Sequence, residues 1–135
     1  MKLFTLITTA LITSFASANL QIEKMGSAEN LQPQNSYYSH YFGMVMVNSY
    51  NTVRYTVTNT GTTPLQFQSA NIWGIDYRAS HSCSSGLQPN QQCSFEIVYW
   101  PINEGSSSGN LDLTFRNTDS TTDTISVRVW GDARR

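Results

Sequence analysis

The chain has 135 residues, of which 8 are Lys or Arg and 9 are Asp or Glu, giving a formal net charge of −1. That length suits one domain with one core, and with no basic run beyond Arg134-Arg135 it lacks the clustered cations that nucleic acids require. Only 13% of the residues are charged, so the surface falls to Ser, Thr, Asn and Gln, as in many extracellular and periplasmic β proteins.

Residues 1–18 read as a secretory signal: Lys2, the apolar run LFTLITTALITSF, then the small residues Ala16-Ser17-Ala18 that a signal peptidase accepts. The run falls short of the ~20 residues needed to span a bilayer. No cysteine follows the cut to carry a lipid. The expected product starts at Asn19 and is exported, periplasmic or secreted, with no membrane span.

Residues 19–36 are expected to supply an N-terminal strand, where Leu20 and Ile22 alternate, and a linker, GSAENLQPQNS. The domain itself is expected over residues 37–135. It opens with YYSHYFGMVMVN, in which a bulge at Gly43 would shift the alternation by one and turn Phe42, Val45 and Val47 inward. Val53, Tyr55 and Val57 then alternate with Arg54, Thr56 and Thr58 up to Asn59-Thr60-Gly61. Asn59 and Gly61 tolerate a left-handed backbone and Pro64 restricts the chain before the next strand, so VTNTGTTPLQF reads as a hairpin.

The next strand carries Leu65, Phe67, Ala70 and Ile72 and stops at Gly74. Cys93, Phe95, Ile97 and Tyr99 alternate with Ser94, Glu96, Val98 and Trp100; Leu111, Leu113 and Phe115 follow, then Ile125, Val127 and Val129. No window holds a helical stripe. Six or seven short strands at intervals of about ten residues predict an antiparallel β sandwich.

The order YFGMVMVN, VRYTVTNTGTTPLQF, CSFEIVYWP, GSSSGNLDLTF and ISVRVWGDA resembles the immunoglobulin-like domains of the ASH (abnormal-spindle/hydin) or choice-of-anchor D type, related to the major sperm protein and PapD-like pilus-chaperone folds. The similarity spans about residues 37 to 133. It rests on Phe42-Gly43, Asn59-Thr60-Gly61 with Pro64-Leu65, the Cys83 and Cys93 pair, and the Tyr99/Pro101 strand end. Trp100, Ser107 and Gly131-Asp132-Ala133 depart from the usual pattern. The resemblance implies an all-β, antiparallel seven-stranded immunoglobulin-like Greek-key sandwich that binds or assembles rather than catalyses. No cofactor is expected, and the expected partner is a protein or an envelope or surface component.

Cys83 and Cys93 form an even pair in a chain expected to meet an oxidising compartment, and a disulfide is predicted. His40 and His81 are the two near-neutral bases; neither has a G-x-S-x-G elbow beside it, and no enzyme is expected. Asp119 and Asp123 flank STT in a polar turn, read as solvated loop ahead of calcium site. An alternative is copper: His40, Met44 and Met46 share parity on one strand, and thioethers with imidazole suit Cu(I), unless the Gly43 bulge turns His40 away. A second alternative is chaperone-like binding, with an extended peptide added to an edge strand.

Trp73, Trp100 and Trp130 each sit one step out of phase with the apolar set of their strand and at its last residue, before Gly74, Pro101 and Gly131. Alternation points them outward. If they end the third, fifth and seventh strands, they meet at one pole, with Trp73 and Trp130 about 10 Å apart across the strand that begins near Asn110. They are the candidate ligand-binding residues. The competing reading is packing, with residues 25–36 folded over them.

Overall fold

The structure, a computed structural model, describes residues 20–25, 30–31 and 37–135. The expected signal peptide and most of the expected linker lie outside the described residues.

Nine strands occur among the described residues: β1 Leu20–Lys24, β2 Asn30–Leu31, β3 Tyr37–Met46, β4 Asn51–Asn59, β5 Gln66–Trp73, β6 Tyr77–His81, β7 Gln92–Tyr99, β8 Gly105–Arg116 and β9 Thr122–Arg134. They form sheet A, ordered β2-β1-β4-β7-β6, and sheet B, ordered β3-β9-β8-β5. The period-two alternation explains the sandwich. Tyr55, Val57, Phe95, Ile97 and Tyr99 of sheet A face Leu111, Leu113, Phe115, Ile125, Val127 and Val129 of sheet B in one buried cluster. Each such side chain contributes about 1.5–3 kcal/mol by leaving water. β1 pairs with β4 and buries Leu20 and Ile22 in the same cluster, so the N-terminal strand packs as part of the sandwich.

The fold is the immunoglobulin-like sandwich expected, with four departures of detail. The strand β6 was not anticipated: YRASH is short and half polar, and it forms because β7 offers it a ladder from Tyr77↔Tyr99 to His81↔Phe95. β3 runs parallel to β9, from Tyr37↔Ser126 to Met46↔Arg134, whereas the other strand pairs are antiparallel. Val98 points away from the core yet is buried, held between Thr52 and Arg78 of the strands on either side.

The fourth departure concerns Asn59-Thr60-Gly61. β4 belongs to sheet A and β5 to sheet B, so the turn is a crossover between sheets and not a hairpin. Its geometry is set by the fully buried Asn59, whose amide donates to the carbonyls of Thr63 at 2.9 Å and Leu87 at 3.0 Å while its Oδ1 accepts from the Gly61 N–H. Those bonds fold the chain out of the sheet, where a hairpin would have kept it.

The bulge falls where the sequence places it. Gly43 has φ of 83°, a left-handed conformation that favours glycine, and the β3 to β9 register shifts between Tyr41 and Met44. Phe42 and Val45 consequently both pack against the core.

Candidate functional site

The outer face of sheet B follows from its inner one. Leu111, Leu113 and Phe115 point into the core, so Ser108, Asn110 and Asp112 of β8 point outward. Register then assigns the neighbours. Trp73 of β5 lies opposite Asn110, and Trp130 of β9 lies opposite Ser108. Trp73 and Trp130 thus flank β8 on one outer face, 53% and 39% exposed, roughly 12 Å apart by strand spacing and rise. β8 itself begins at Gly105, ahead of the expected start near Asn110.

A third ring joins them. Tyr41 of β3 pairs with Trp130 in the parallel ladder, and the two rings stack at 5.6 Å and 22°. The Tyr41 hydroxyl donates to Asp132 Oδ2 at 2.6 Å, and Ser106 Oγ donates to the other oxygen of the same carboxylate. These two bonds hold the Asp132 carboxyl below its ordinary range, and the bond to Asp132 raises the Tyr41 phenol. Tyr41 and Trp130 therefore form a plate in which the Tyr41 ring is anchored through its hydroxyl. Between this plate and Trp73 the surface is polar. Asn110 and Ser126 both donate to Asp112 Oδ1, at 2.8 and 2.6 Å, and the side chain of Arg128, next to Asn110, has no ion-pair or hydrogen-bond partner among the described residues.

Trp100 does not share this surface, contrary to the sequence expectation of a three-tryptophan cluster. It follows β7, which belongs to sheet A, so its outward direction is the opposite face of the sandwich. There it meets Arg78, whose guanidinium lies 5.4 Å from the ring centre, and Tyr50 edge-on at 5.8 Å. Ile75, Asp76 and Ile102 complete a small open hollow around it.

His40, Met44 and Met46 do not converge either. The Gly43 bulge puts His40 on the inner side, edge-on to Phe42 at 4.7 Å, and leaves Met44 and Met46 exposed on the outer side. Cys83 and Cys93 are joined as a disulfide, closing the loop between β6 and β7. His81 Nδ1 accepts from the Cys83 N–H at 3.1 Å, which commits it to the loop. Asp119 accepts from the Thr121 N–H and hydroxyl, and Asp123 from Asn117, so the polar turn satisfies itself.

Tyr41, Asp132 and Arg128 were missed in the sequence. The only signal was parity, which put Tyr41 out of phase with Phe42; what it touches depends on β3 lying beside β9, a pairing no local pattern encodes.

No protein-family profile matches the chain, and no curated protein does. Solved structures do match. A PapD-like (ASH) domain of human CEP192 aligns with a TM-score of 0.64 at 13% identity, covering 88% of this chain and 87% of that one. The Vibrio cholerae protease VesB aligns with a TM-score of 0.66 at 16% identity over 92% of this chain, which spans only 34% of the protease. The periplasmic chaperone SfaE aligns with a TM-score of 0.52 at 8% identity, covering 70% of this chain and 55% of the chaperone. At these identities the likeness concerns architecture, and it is consistent: the chain has the immunoglobulin-like fold of ASH and PapD-like domains.

Proposed function

We propose that this protein is an exported, non-enzymatic binding or assembly module of the bacterial envelope or extracellular space, and that the outer face of sheet B takes its partner. The observation that carries the reading is the pair of exposed tryptophans, Trp73 and Trp130, on one face with Tyr41 locked against the second. Large aromatics held rigidly on a surface offer contact area at low entropic cost. The Cys83–Cys93 disulfide supports export, since such bonds persist in oxidising compartments. Against catalysis stand the chemical groups themselves: His81 is committed to a backbone N–H, and burial pushes the Tyr77 phenol up to about 12.

The test is capture from an envelope fraction with the purified protein, beside a Trp73→Ala/Trp130→Ala double variant. Both side chains lie on the outer face, outside the core cluster, so the variant should keep its thermal midpoint and lose the partner. A variant that captures as well as the parent would remove this face from the function.

A further inference from the structure

We propose that the face between Trp73 and Trp130 binds an acidic polysaccharide, a polymer containing uronic acid residues. The inference rests on the reading of this face as the binding surface and names its ligand class.

Spacing of apolar and polar groups argues for a sugar polymer. A protein partner is held by a contiguous desolvated centre ringed by polar groups. Here the order is inverted. The apolar plates, Trp73 on one side and Trp130 with Tyr41 on the other, stand apart; Ser108 and Asn110 of β8 fill the ground between them, and Arg128 flanks Trp130 on β9. A polysaccharide has the matching alternation. Each pyranose ring presents a C–H face that packs on an aromatic plate, rimmed by hydroxyls that need donors and acceptors beside it. Two plates roughly 12 Å apart suit two rings of one chain with the intervening unit over β8.

Charge selects the acidic kind. The outward positions of sheet B include Arg116, Arg128 and Arg134 against Asp112 and Asp132, a cationic excess in a chain whose formal net charge is −1. Both carboxylates already accept two bonds from their neighbours, Asp112 from Asn110 and Ser126, Asp132 from Tyr41 and Ser106. The Arg128 side chain is uncommitted among the described residues and lies in the row that runs from Ser39 through Asn110 to Trp73. Its planar fork matches a carboxylate in a bidentate pair. Arg128 would thus hold the uronate carboxylate while Trp73 and Trp130 hold ring faces.

The experiment titrates the purified protein, followed by tryptophan fluorescence and calorimetry, with oligosaccharides from polygalacturonate, alginate and hyaluronan and with their methyl esters. At least one acid form should bind, at least tenfold more tightly than its ester, and more weakly as salt rises. Arg128→Gln should bring the acid form down to the affinity of the ester and leave the ester unchanged; Trp73→Ala and Trp130→Ala should weaken both. Arg128 is exposed, so an unchanged thermal midpoint is expected for its variant. Equal affinity for acid and ester, indifference to Arg128→Gln, or no binding across the three polymers overturns the proposal. Capture of an envelope protein through Trp73 and Trp130 with no uronate bound would overturn the ligand class alone and leave the binding-module reading standing.

Discussion

Asn59 donates its side-chain amide to the carbonyl of Leu87, 28 residues further along, at the point where the chain leaves sheet A for sheet B. The bond is one of a set: the Asn59 backbone also accepts from the Asn90 N–H and donates to Gln91, and Leu65 and Leu87 exchange two bonds beside it. A crossover and a distant loop are thereby fixed by one buried amide. Replacing Asn59 with Ala leaves the carbonyls of Thr63 and Leu87 without this donor in a dry site, and should cost roughly 2–4 kcal/mol in urea unfolding. Asn59→Asp should be worse at neutral pH, because a carboxylate would face those two carbonyls.

Removal of the disulfide should be felt throughout the β6 to β7 loop. Cys83 and Cys93 are both buried and ten residues apart. The double Cys→Ala variant should unfold with about 3 kcal/mol less stability, by guanidinium titration, because its unfolded chain regains the freedom of the open loop.

Acid should loosen the Tyr41 and Trp130 plate before it unfolds the protein. The folded pKa of Asp132 lies below its ordinary value of 3.8, chiefly through the Ser106 and Tyr41 hydroxyls. Its stabilising effect is therefore complete above 3.8 and is lost as pH falls through the lower, folded value. Tryptophan emission should change in that acid window, and Asp132→Asn should abolish the transition.

Gly131 is needed for room. A Cβ at this position would sit well inside van der Waals contact with Cε2 of Tyr99, which is itself stacked on Tyr77 at 4.8 Å. Gly131→Ala should therefore cost about 1–3 kcal/mol in thermal or urea unfolding, as overpacking does. A neutral outcome would show that Tyr99 can move aside.

The outward direction of Trp73 and Trp130 was legible because it depends only on alternation within a strand, and the Gly43 bulge was legible because Phe42 and Val45 must both face inward. What lay beyond reach was non-local. Trp100 obeys the same alternation, yet its face depends on which sheet β7 joins. Asn59-Thr60-Gly61 spells a tight reversal in either a hairpin or a crossover, and only the carbonyl of Leu87 decides between them. Arg128 carries no local mark at all; it matters through what stands beside it on β8.

The parallel ladder between β3 and β9 has a consequence for how the molecule is made. Tyr37 meets Ser126, so the two strands that complete one side of sheet B are separated by most of the chain. Contacts of such sequence distance impose a large loop-closure cost and slow the search for the native arrangement. β3 cannot dock until β9 has been synthesised and placed against β8. In the meantime Tyr37–Met46, ten residues without a charged side chain, has no sheet to join, and folding intermediates should be most prone to self-association through this segment.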